Sequence, residues 1–110
     1  MAWAHEREHY RVAYPTALRP KLVVHGVGFD VVDISEHGIR FRLGNAHQPD
    51  PGLELQGEVR FKRGETIGVR GTVLRVHQGE VAAHLDDGIP LRIVMDEQRF
   101  LLDRNRHLGM

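Results

Sequence analysis

Ile39-Arg40-Phe41-Arg42-Leu43 alternates apolar and cationic side chains without interruption. An extended chain points successive side chains to opposite faces, so Ile39, Phe41 and Leu43 share one side and both arginines the other. One face of this strand therefore belongs to a core and the other to solvent or a ligand. The same reading extends outward in both directions. Upstream, residues 18–24 and 29–34 are short β-rich segments. Downstream, residues 44–52 form a loop broken by Asn45, Pro49, Asp50 and Pro51.

Residues 53–62 then predict a longer strand, with Leu53, Leu55, Val59 and Phe61 on one parity, ending in a turn at Arg63-Gly64-Glu65. Ile67, Val69 and Val73 keep one parity, whereas Leu74 and Val76 take the other. A bulge near Gly71, or a strand buried on both faces near a barrel corner, accounts for that switch. His77-Gln78-Gly79 turns the chain into the alternating Val81-Ala82-Ala83-His84-Leu85. Pro90 suits a helix start, and residues 91–107 predict one terminal helix, with Ile93, Val94, Phe100 and Leu101 forming roughly one stripe. The count is about six strands and then a helix. The inward β-branched and aromatic residues suffice to close a small barrel, which removes exposed sheet edges.

Composition narrows the function. With 110 residues and 41% apolar content there is one modest core and one domain. Fifteen basic residues balance fifteen acidic ones, which disfavours sequence-blind nucleic-acid binding but permits a local cluster for a small anion. The absence of cysteine removes disulfides, thiolate metal sites and thiol nucleophiles. No apolar run approaches the ~20 residues of a membrane span, and the charged start does not match a secretory signal. The expectation is a cytoplasmic protein with no membrane insertion.

Two short motifs carry the chemistry. Arg7 and Arg11 form R-x-x-x-R in a polar segment ahead of the first strand. Asp33, Ser35 and Gly38 form D-x-S-x-x-G between an apolar strand and the 39–43 strand. A guanidinium fork donates two parallel hydrogen bonds to O6 and N7 of guanine, or to a phosphate. A carboxylate accepts, which suits Asp33 to the N1–H and N2–H donors on the other guanine edge. Ser35 adds a hydroxyl, and Gly38 lets a ligand approach without a Cβ in the way. The simpler reading of the second motif is a strand-to-strand turn with Gly38 at positive φ.

In order and context these motifs resemble the PilZ domain family of bacterial cyclic di-GMP receptors. The resemblance runs from about Arg7 to the terminal helix. It implies an all-β fold, a six-stranded antiparallel barrel with a C-terminal helix. Residues 1–14 would form a flexible arm carrying R-x-x-x-R, and 15–110 the barrel and helix. It implies a non-enzymatic receptor holding cyclic di-GMP through Arg7, Arg11, Asp33, Ser35 and Gly38. Arg40 and Arg42, on the polar face of the next strand, and His37, inside the second motif, are accessory candidates by position. No cofactor is implied. Ordering of the arm would pass the signal to an unidentified downstream protein, and weak homodimerisation is compatible with this. Glu6 stands where some members carry another cation, and Val81–Leu85 lacks a glycine expected of that late strand.

Two other readings compete. A PilZ-like adaptor, of the kind used in type IV pilus systems, would keep the fold and bind protein without nucleotide. His5-Glu6-Arg7-Glu8-His9 spells H-E-x-x-H, but a zinc protease needs both histidines on a stable helix and a third ligand. A polar arm offers no apolar helical face for that. Neither a catalytic residue nor a metal ligand is therefore assigned.

Overall fold

The computed structural model describes residues 10–108, with side chains described from Tyr10 to Arg104. Among the described residues seven strands precede one α-helix: β1 (Val12–Ala13), β2 (Lys21–Val24), β3 (Val27–Ser35), β4 (Gly38–Arg42), β5 (Glu54–Arg60), β6 (Thr66–His77), β7 (Glu80–Asp87) and α1 (Leu91–Leu108). All pairings are antiparallel, and six strands close in the order β3-β2-β5-β6-β7-β4 with β4 returning to β3. The extra strand β1 shares an edge of β3 with β2, pairing Val12 with Ile34 and Ala13 with Asp33. The fold is the expected six-stranded barrel with a C-terminal helix.

Tight turns and side-chain parity together set the register. His25-Gly26 and Gln78-Gly79 both have positive φ at each position, the mirror-image turn whose twist matches its flanking strands. Pro15 and Pro20 bracket a 3-10 turn at Thr16–Leu18, so the strand expected from residue 18 begins only at Lys21. Inside the barrel, Leu22, Val31, Ile34, Val59, Val81 and Leu85 are wholly buried. Ile39 and Phe41 point inward as their alternation predicted, and Leu53 does not, being more than half exposed.

Three irregularities interrupt the ladders. Val32 is an extra residue in β3, between the Val31–Phe41 and Asp33–Arg40 pairs. Leu74 is an extra residue in β6, between Val73–Ala83 and Arg75–Ala82. Asp86 is an extra residue in β7, opposite the Arg70–Gly71 step. The parity switch in β6 thus falls at Leu74, three residues beyond the expected place. Gly71 answers a different need, because a Cβ there would lie 1.8 Å from the His84 carbonyl oxygen.

Helix α1 packs on β1 and β3. Its buried stripe contains Ile93 and Val94, and also a glutamate, Glu97, only 1% exposed. Both carboxylate oxygens are taken: Tyr14 Oη donates at 2.5 Å and Arg63 Nε at 2.6 Å. Burial, together with the hydrogen bond and negative charge of Glu97, pushes the Tyr14 hydroxyl far above the ordinary tyrosine range. Residues 12–14, assigned by sequence to the arm, are therefore built into the barrel wall and tied to α1.

Candidate functional site

The Val32 bulge decides where the D-x-S-x-x-G side chains point. An uninterrupted strand with Val31 inward would also direct Asp33 and Ser35 inward. The extra residue shifts the parity, so Val31 and Ile34 both fill the core and Asp33 and Ser35 turn to the outer face. Asp33 then sits directly across from Arg40, and Ser35 across from Gly38.

Arg11, immediately before β1, reaches the same place. Its NH1 donates to Asp33 Oδ1 at 3.0 Å, and Arg40 Nε lies 3.6 Å from Asp33 Oδ2. The Asp33 side chain is 10% exposed beneath these two cations, whereas that of Arg11 is 46% exposed. The members of the two motifs that fall within the described residues are thus brought together. Arg7 lies outside the described residues, as does the H-E-x-x-H stretch. Among the described residues no group of His, Asp or Glu is arranged to hold a metal ion.

Over this cluster opens a cleft of about 530 Å³ on the outer face of β3, β4, β7 and β6. Arg11, Ser35 and Arg40 line one side and Arg75 the other, with Gly38 and Ala82 between them. Gly38 does not have positive φ, contrary to the simple turn reading. It opens β4, and a Cβ there would come within 3.0 Å of Ser35 Oγ and 4.0 Å of Arg11 NH1. Its missing side chain is therefore space at the centre of the cleft.

The turn at Glu36-His37 is held from below. Leu85 N–H donates to the His37 carbonyl at 3.0 Å, and Ile89 N–H to the Glu36 carbonyl at 2.8 Å. His37 Nδ1 donates to the Leu85 carbonyl at 3.3 Å, and its ring stacks near His84 with centroids 6.2 Å apart. These contacts fix the motif loop to the end of β7 and hold the cleft rim in place.

Of the accessory candidates, Arg40 and His37 line the cleft. Arg42 instead turns to Glu80, at 3.3 Å, and lies outside the cleft lining. Sequence reasoning missed Leu74, Arg75 and His84, which also line it. The parity break in β6 was the available signal for the first two. Among the described residues, three guanidinium groups (Arg11, Arg40, Arg75) against one carboxylate (Asp33) leave two positive charges in excess, although the whole chain is neutral.

Known proteins bear on this architecture in two ways. No curated protein sequence matches the chain significantly. Among solved structures, an uncharacterised Legionella protein, Lpg0364, is similar at 12% identity with a TM-score of 0.62, over 87% of this chain and 98% of that one. The Bacillus subtilis inhibitor of motility MotI/DgrA is similar at 14% identity with a TM-score of 0.64, over 84% of this chain and 49% of that one. At such identities the likeness is one of fold. The family model described as PilZ domain matches residues 5–102, a span that includes both motifs and every strand of the barrel. With a family match over nearly its whole length and the corresponding closed barrel, the chain belongs to the PilZ domain family.

Proposed function

We propose that this chain is a receptor for cyclic di-GMP, bound in the outer-face cleft by Arg7, Arg11, Asp33, Ser35 and Gly38. The observation that carries this reading is the contact between the two motifs: Arg11 rests on Asp33 at the edge of a preformed cationic cleft. A bis-phosphate ligand with two guanines needs fork-shaped cations and an acceptor for a guanine edge. Arg11 and Asp33 supply one of each. In this structure they satisfy one another.

Binding then exchanges partners. Arg11 is close to half exposed but Asp33 is nearly buried, so the exchange is favourable because the ligand supplies a new partner to each. A phosphate or guanine oxygen can replace the carboxylate at Arg11, and guanine N1–H and N2–H can replace the guanidinium at Asp33. Arg7, four residues upstream in the sequence, supplies the second guanidinium fork of R-x-x-x-R. The relay runs through this segment, because ligand held by both arginines fixes it against the barrel. The surface so formed is read by a partner protein. The fold similarity to a motility inhibitor suits an output of that kind.

Titration calorimetry with cyclic di-GMP tests this reading. Saturable binding is expected, weakened about ten-fold or more in each of Arg7→Ala, Arg11→Ala and Asp33→Ala, since a charge-assisted hydrogen bond contributes roughly 1.5–3 kcal/mol. Arg11→Lys should recover little, because an ammonium cannot span two acceptors in a plane. No heat at high-micromolar ligand would reject the receptor reading and leave a protein-binding adaptor.

A further inference from the structure

We propose that Arg75, which lies outside both motifs, is a ligand-binding residue of this cleft. With Arg40 it would hold the anionic group of the ligand that the motif residues do not reach. The inference rests on the receptor reading above and adds a second anchor to it.

The bulge at Leu74 carries the case. In an uninterrupted β6 ladder, the Val73–Ala83 pair would be followed by Leu74 opposite Ala82, and Arg75 would share the inward parity of Val73. Leu74 occupies the extra place instead. Arg75 therefore falls opposite Ala82 on the outer face, while Val76 pairs with Val81. The bulge thus brings a guanidinium to the cleft beside Leu74, which lines it too.

Asp33, Arg40, Ala82 and Arg75 consequently form one rung across β3, β4, β7 and β6. Strands lie about 4.8 Å apart, so the backbones of Arg40 and Arg75 are roughly 10 Å apart across the small Ala82. Both guanidinium groups border the main cleft and also its continuation of about 270 Å³ toward His77 and Glu80. Arg75 has no hydrogen bond or ion pair among the described residues, whereas Arg11, Arg40 and Arg42 each have a carboxylate partner. A cleft-lining cation with no counter-ion among the described residues, across a floor with almost no side chain, fits an anion supplied by the ligand. A ligand with two phosphates can place one at the Arg11 side and the other between Arg40 and Arg75.

The test compares cyclic di-GMP affinity in wild type, Arg75→Gln and Arg60→Gln. Arg60 is exposed on β5 and removes the same charge away from the cleft. The expected result is a loss of about ten-fold in Arg75→Gln, with an unchanged unfolding midpoint, and no loss in Arg60→Gln. Wild-type affinity in Arg75→Gln, or an equal loss in both variants, would overturn the role of Arg75 while leaving the receptor reading intact. Absence of binding in wild type would overturn both.

Discussion

The segment from Arg11 to Tyr14 ends on two arginine–carboxylate clusters, each built on a buried carboxylate, that differ in how far the arginine is open to water. At one end Arg11 meets Asp33 on the outer face, with a guanidinium close to half exposed. At the other, three residues on, Tyr14 meets Glu97 and Arg63 under α1, around a carboxylate that water barely touches. Arg11 can turn to water or a ligand at little cost, whereas Asp33, itself buried, needs a donor in exchange. A buried carboxylate cannot lose its partners without a large desolvation penalty. The first cluster has the properties of a binding site and the second those of a fastening. Their closeness means that whatever moves Arg11 acts against a fixed point three residues away.

The largest expected effect comes from breaking the fastening. Glu97→Ala leaves Arg63 without its buried acceptor and the Tyr14 hydroxyl unsatisfied, so stability in urea unfolding should fall by about 3 kcal/mol. A loss below about 1 kcal/mol would mean that the two clusters are alike. Tyr14→Phe removes one hydrogen bond to a charged group and should cost about 2 kcal/mol at neutral pH.

That loss also has a pH signature. Because the folded-state pKa of Tyr14 is raised above its unfolded value near ~10, its contribution is fully present below about pH 10. It is lost as pH rises further, because the unfolded chain releases this proton first. The stability gap between wild type and Tyr14→Phe should close by about 1.4 kcal/mol per pH unit above pH 10. The native tyrosinate absorbance titration should be the same in both proteins.

On the outer face the expectation reverses. Gly38→Ala brings a methyl group to 3.0 Å from Ser35 Oγ and into the cleft, so cyclic di-GMP affinity should drop about ten-fold. Its unfolding midpoint should shift only slightly, because the neighbouring hydroxyl can give way. A large stability loss with normal affinity would reassign Gly38 to the fold.

The two regions were also unequally legible in the sequence. Barrel and helix followed from alternation, turn residues and Pro90, because each is a local signal. Arg11, Asp33, Ser35 and Gly38 were legible as motifs, and the β1–β3 and β3–β4 pairings bring them together, with Asp33 beneath the cleft that the other three line. Arg75 and His84 were not, since they reach it only through the closure of β4 onto β7 and the bulge at Leu74. The Val32 bulge left no mark, because Val31-Val32 reads as an apolar pair under either register. Glu97 was invisible for a related reason. A glutamate inside an apolar helical stripe reads as an edge position, and its partners lie 83 and 34 residues away.

The central claim is that ligand exchanges the Arg11 cluster and spares the Glu97 cluster. Its most direct test is the arginine side-chain Nε–Hε spectrum, recorded by heteronuclear NMR during titration with cyclic di-GMP. The account predicts saturable shifts of the Arg11 and Arg40 signals with Arg63 unmoved. Unmoved Arg11 and Arg40 signals at high-micromolar ligand, or a shift confined to Arg63, would contradict it.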